Sequence, residues 1–211
     1  DSSLKTVEKL EKYEGNLFNW YNTETCEVIG GRFVSTVDSG NFLCSLVALK
    51  EGVSEYANEC YSLWNIARRV QKLISETDLA VFYNKNKKLF HIGLYEENGK
   101  LSESFYDLHM SEMRATAYLA VAKRIVPKQH WSAPSRTVIR SGRFFGLASW
   151  TGTMFEYFMP NIFLPSKRGC LDREALNFCL YNQMKRAGSR PFGMSESGFY
   201  SFDGELNYQY K

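Results

Sequence analysis

A disulfide framework is missing from this 211-residue chain: its five cysteines (Cys26, Cys44, Cys60, Cys170, Cys179) are odd in number and never take C-x-x-C spacing. Three of them, Cys44, Cys60 and Cys179, fall within apolar helical patterns and read as reduced core thiols, which favours a cytoplasmic setting. No N-x-S/T acceptor, signal-type segment or apolar run of roughly 18 residues occurs, so this chain is not expected to insert into a membrane itself. Neither G-x-x-x-x-G-K nor G-x-G-x-x-G is found, which excludes the usual nucleotide phosphate cradles. His91, His109 and His130 are scattered, with no H-x-x-x-H pair and no Cys/His cluster, so neither a metal nor another cofactor is expected. There is no Asp-Asp pair, which argues against the magnesium chemistry of helical terpene cyclases. Charge of one sign is scarce too. A formal net charge of +3, from 26 basic and 23 acidic residues, leaves no footprint for nucleic acid. The basic run Lys85-Asn86-Lys87-Lys88 reads as a solvated turn.

What is present is carboxylates set among aromatics. Glu156 lies within Trp-Thr-Gly-Thr-Met-Phe-Glu-Tyr-Phe-Met-Pro, from Trp150 to Pro160. A charge there is expected to be paired, hydrogen-bonded or lining a wet pocket, because an unpaired buried carboxylate costs about 3 to 5 kcal/mol; Arg143 and Arg190 are the candidates for pairing. Glu196 sits between Phe192 and Tyr200, and Asp107 and Glu112 follow Tyr106. Sugar rings stack on aromatic faces while paired carboxyl groups cleave or transfer glycosidic bonds, so this composition points to carbohydrate chemistry. Gly193-Met194-Ser195-Glu196-Ser197 nearly matches a nucleophile elbow, but no preceding strand or nearby histidine supports a serine hydrolase.

The length suits one sizeable domain over residues 1–211, able to hide ~70% of its unfolded surface. Helices are expected over about Leu4 to Tyr13, then from a cap at Asp38 and Ser39 through Leu49, from Ser54 to Ser75, and from a cap at Ser111 to Val126, where Pro127 stops the run. A β-hairpin is expected from Ala80 to Tyr95. After a loop through Pro134, Gly142 and Gly146 comes the helix bearing Glu156, then an amphipathic helix from Leu171 to Ala187 with Gly188 as its C-cap. Buried and amphipathic helices in alternation predict an all-α fold, an α/α toroid of the six-hairpin type or a part of one, with a small inserted β-hairpin. An irregular helical bundle satisfies the same periodicity.

Several segments together resemble the central, glucoamylase-like domain of cyclic β-1,2-glucan synthases, which is related to β-1,2-glucanases. They include Phe33-Val34-Ser35-Thr36-Val37-Asp38-Ser39-Gly40-Asn41, Tyr106-Asp107-Leu108, Ser111-Glu112, Pro127-Lys128-Gln129-His130-Trp131, Ser149-Trp150-Thr151-Gly152-Thr153-Met154-Phe155-Glu156-Tyr157 and Gly193-Met194-Ser195-Glu196-Ser197. The resemblance implies an α/α toroid acting on β-1,2-linked glucose, by transglycosylation in the synthases and hydrolysis in the glucanases. It also implies catalytic carboxylates at Glu112 and Glu196, and further domains of a larger, membrane-associated enzyme as partners.

The residues themselves leave alternatives open. Glu112 near a helix start serves equally as a plain capping acid. Glu196 in a Gly/Ser loop is raised above an ordinary surface acid only by the resemblance. Glu156 is better suited to orienting a site than to direct chemistry, and Asp38 is a helix cap first and a sugar contact second. Tyr106, Asp107, Trp131, Trp150, Tyr157 and Tyr200 complete the expected glucan-binding set, since an aromatic content of 15% spread over loops and helix starts suits stacking. The expected activity is glycosidic bond transfer, with hydrolysis or sugar binding without catalysis as the alternatives.

Overall fold

The computed structural model describes residues 1–58 and 60–195. These fall into two compact units: Asp1–Tyr106 with Thr116–Ala133, and Asp107–Ala115 with the described residues from Pro134 onward.

The first unit opens with α1 (Ser2–Lys9), shorter than the expected helix, because Leu10 leaves helical geometry and the chain turns into a hairpin of β1 (Lys12–Tyr13) and β2 (Asn16–Leu17). Strand β3 (Phe33–Ser35) leads into α2 (Thr36–Tyr56), whose N-cap is Ser35. The Ser35 hydroxyl accepts from the Asp38 amide at 3.3 Å, so capping falls to Ser35 while Asp38 stands in the first turn. Helix α3 (Tyr61–Glu76) buries Ala67, Val70, Leu73 and Ile74 along one stripe, as its spacing requires. The expected single helix from Ser54 to Ser75 is thus divided between α2 and α3, and Cys60, expected in the core, is the exposed N-cap of α3. Next come β4 (Tyr83–Asn84) paired with β5 (Leu89–Phe90), and β6 (Gly93–Tyr95), which joins β3 on one side and β7 (Lys100–Leu101) on the other. The later part of α4 (Arg114–Ala122) and the short α5 (Gln129–Ser132) complete this unit. Gly40 of α2 lies so close to Thr116 that a Cβ would sit 2.0 Å from its methyl group, which makes glycine a packing requirement there.

The second unit is organised around α7 (Leu171–Ala187), which has Asp172 and Glu174 in its first turn, Lys185 and Arg186 in its last, and Gly188 at φ 61° as its C-cap. Here sequence and structure agree to the residue. The hairpin of β8 (Val138–Ser141) and β9 (Phe144–Leu147), turned by Gly142 at φ 57°, lies against α7. Gly146 permits that approach, since a Cβ would come within 2.4 Å of Phe178. Met110, Leu147, Tyr157, Ala175, Leu176 and Cys179 form the core, and α6 (Met154–Phe158) adds Met154 and Phe158 to it.

The all-α toroid is overturned. Among the described residues, nine short strands form four antiparallel sheets alongside the helices, so the fold mixes α and β. One hairpin was expected, at β4–β5. The β8–β9 hairpin occupies the stretch for which Gly142 and Gly146 predict a loop; the first turns the hairpin and the second clears space for Phe178. Both buried helical cysteines, Cys44 and Cys179, carry free thiols.

Candidate functional site

Glu156 is the organising group of the second unit. Thr153 caps α6 in a reciprocal capping box with it, which draws the carboxylate back over the loop Ser149-Trp150-Thr151-Gly152. That loop donates to it from the Ser149 hydroxyl (2.9 Å), the Trp150 amide (3.1 Å), the Thr151 amide (3.1 Å) and hydroxyl (2.6 Å), and the Thr153 amide (3.2 Å). With 3% of its surface exposed, the carboxylate is satisfied wholly by short-range donors. The expected arginine partner is therefore corrected: among the described residues neither Arg143 nor Arg190 pairs with Glu156.

This arrangement presents Trp150, 44% exposed, at the surface. Its indole Nε1–H donates to Asp107 Oδ1 at 3.0 Å, joining two residues expected separately in the binding set. Asp107 is itself exposed and sits on a segment fixed to Ser135: the Ser135 amide donates to the Asp107 carbonyl (2.7 Å), and the His109 amide donates to the Ser135 carbonyl (2.9 Å). Glu112 is half-buried and lies just before α4 rather than within its first turn, with the Ser111 hydroxyl donating to it at 3.3 Å. Tyr157 is buried and donates its hydroxyl to the Leu147 carbonyl; burial pushes its pKa up to about 12.

Below the loop, Ser149, Thr151, Gly152, Tyr157, Cys179 and Gln183 help enclose a cavity of about 200 Å³. Burial, with the Glu156 charge adding to it, raises the Cys179 thiol to about 12, so it stays protonated at neutral pH. Gln183 spans the loop and the segment approaching Glu196. Its Nε2 donates to the carbonyls of Gly152 (3.2 Å) and Met194 (3.3 Å), its Oε1 accepts from the Met194 amide (2.9 Å), and the Met154 amide also donates to the Met194 carbonyl (2.9 Å). Glu196 and Tyr200 lie outside the described residues.

The remaining expected residues belong to the first unit. Asp38 is exposed, Tyr106 is buried, and Trp131 stacks edge-on against Tyr118 at 6.0 Å. Asp107, Glu112, Trp150, Glu156 and Tyr157 thus belong to one unit, and Asp38, Tyr106 and Trp131 to the other.

One cluster is new. His109 Nε2 lies 3.0 Å from Asp172 Oδ1, and buried Arg114 Nε lies 3.9 Å from Asp172 Oδ2 while its Nη2 donates to Asn161 Oδ1 at 2.9 Å. The hydrogen bond from His109 first, and the Arg114 charge after it, hold the Asp172 carboxyl below the usual aspartate range despite the opposing effect of burial. A depressed folded pKa stabilises the fold fully above the unfolded aspartate value, ~3.9, and that contribution is lost as pH falls through the folded value. Asp172→Asn should accordingly melt below the parent at about pH 7, with the difference shrinking as pH falls below about 3.9; a constant difference in Tm on acidification would refute the coupling.

An exposed indole hydrogen-bonded to a surface carboxylate, above a loop wrapped on a buried glutamate, defines an aromatic and acidic surface suited to polyhydroxylated ligands. No protein-family model matches the chain. It is similar to the cyclic beta-(1,2)-glucan synthase NdvB of Rhizobium meliloti (strain 1021), 22% identical over 335 aligned residues that take in the whole chain and 12% of the synthase. The alignment is longer than the chain, so internal stretches of the synthase have no counterpart here. Among the described residues no group of His, Cys, Asp or Glu gathers to hold a metal ion, and no helix is long and apolar enough to cross a membrane.

Proposed function

We propose that this chain is part of a larger glucan-synthesising enzyme and acts on β-1,2-glucan by acid/base transfer of glycosidic bonds. Similarity to the synthase along the entire chain carries this reading. The Asp107–Trp150 pair beside the Glu156 loop supports it, because it offers a ring face and a carboxylate acceptor to the same sugar. Glu112 and Glu196 are the proposed acid pair. One protonates the leaving oxygen while the other acts as nucleophile or activates the incoming hydroxyl. Asp107 and Trp150 bind the chain of glucose units, and Glu156 holds the loop that presents Trp150.

Incubating the protein with linear β-1,2-glucan tests the proposal. Cyclic or redistributed products are expected. Shortened chains alone would replace transfer by hydrolysis, and neither product nor binding would overturn a glucan-acting role. Trp150→Ala is expected to weaken glucan binding about ten-fold while moving the unfolding midpoint little, since nearly half of the side chain is outside the core. Unchanged affinity with a large fall in Tm would assign Trp150 to packing instead.

A further inference from the structure

Every residue from His109 to Ala115 is buried except Glu112, which is half-buried. The chain forms a tight turn there, ahead of α4. The Ser111 amide donates to the His109 carbonyl (3.1 Å), the Arg114 amide to the Ser111 carbonyl (3.1 Å), and the Met113 amide to the Ser111 hydroxyl oxygen (3.1 Å). That hydroxyl donates in turn to Glu112 Oε2 at 3.3 Å, which ties the carboxylate to the turn that carries it.

Asp172, in the first turn of α7, holds this segment on both sides of Glu112. His109 Nε2 is 3.0 Å from Asp172 Oδ1, and Arg114 Nε is 3.9 Å from Asp172 Oδ2. An ionised carboxylate only accepts, so His109 carries a hydrogen on Nε2. Arg114 also fastens the segment to its surroundings: Nη1 donates to Met110 Sδ (2.9 Å), and Nη2 to the Tyr157 carbonyl (3.4 Å) and to Asn161 Oδ1 (2.9 Å), just beyond α6. Burial lowers the Arg114 pKa, and the Asp172 charge opposes this most. Taking that charge away leaves a buried cation short of its counter-ion, which is strongly unfavourable. The helix dipole alone does not call for this arrangement, since Glu174, exposed in the same first turn, already serves it.

Taking Glu112 as one of the acid pair, we propose that Asp172 is a positioning residue for it, clamping the segment from His109 to Arg114 so that the Glu112 carboxylate meets the glycosidic bond in reactive geometry. Asp172 itself touches no substrate and acts through Glu112 alone. Such a clamp matters because a reacting group displaced by about 1 Å loses ~10²-fold in rate.

Two measurements on Asp172→Asn test it. Hydrogen exchange at the Met113 and Arg114 amides should speed up by at least about ten-fold more than exchange in the β8–β9 hairpin. In β-1,2-glucan transfer, assayed well below the melting temperature, kcat should fall about 10- to 100-fold with KM within about two-fold of the parent. The same substitution made in Glu112→Gln should lower the residual rate no further, because the two residues act as one unit. His109→Leu should reproduce the loss, and His109→Gln, which keeps an N–H where Nε2–H stands, should recover most of it. Equal changes of exchange in the turn and the hairpin would overturn the clamp whatever the rates. Parent-level kcat in Asp172→Asn, with Glu112→Gln inactive, would overturn the positioning role and leave the acid pair standing. Parent-level turnover in Glu112→Gln, or none in the parent, would remove Glu112 from the acid pair and the positioning role with it.

Discussion

Glu112→Gln and Glu196→Gln are each expected to lower glucan transfer by about 10²- to 10⁴-fold, the loss that follows removal of a group that donates or accepts the reacting proton. An amide keeps the shape and the hydrogen-bonding reach of the acid. The fold and most of the substrate affinity should therefore survive, and the loss should appear in kcat rather than KM. Glu112 is half-buried, and the Ser111 hydroxyl donates to it at 3.3 Å. The argument for Glu196 rests on its Ser-Glu-Ser setting and on the chain before it, where the Met194 backbone is tied through Gln183 to the Glu156 loop. Transfer assays with both variants, run beside circular dichroism melts, separate chemistry from folding. Turnover near that of the parent in either variant would remove that residue from the acid pair.

The parts of this structure legible in the sequence are those whose signals are local. Helix α7 was readable because its acids, bases and terminal glycine follow the helix dipole and capping rules within one segment. The α2–α3 boundary was not, since no proline or glycine marks the chain between Tyr56 and Tyr61. The β8–β9 hairpin was hidden by Gly146, whose reason is Phe178 on another element. Within the candidate site, the burial of Glu156 is legible from its neighbours, and of the partners the sequence allows, hydrogen-bond donors rather than Arg143 or Arg190 meet it. The nearer signal was Thr153-x-x-Glu156, a capping-box spacing that directs the glutamate back to its own loop. By contrast, the pairing of His109 with Asp172 joins residues 63 positions apart and carries no local pattern.

That local satisfaction sets the expected behaviour of Glu156. Glu156→Leu should destabilise the protein by about 3 to 5 kcal/mol, because it leaves several donors of the 149–153 loop facing an apolar side chain. Glu156→Gln should be milder, about 1 to 3 kcal/mol. The amide keeps one acceptor oxygen but turns its NH₂ toward groups that are themselves donors, among them the amides of Trp150, Thr151 and Thr153. In the glutamine variant glucan binding should weaken along with stability, since Trp150 is held in place through this loop and through Asp107. If Glu156 instead served as a reacting acid, Glu156→Gln would keep its melting temperature and its affinity while kcat collapsed. Urea unfolding, glucan titration and turnover on this one variant therefore decide between the two roles: loss of stability with weakened binding marks a residue that builds the surface, and an inactive but stable protein marks one that performs the chemistry.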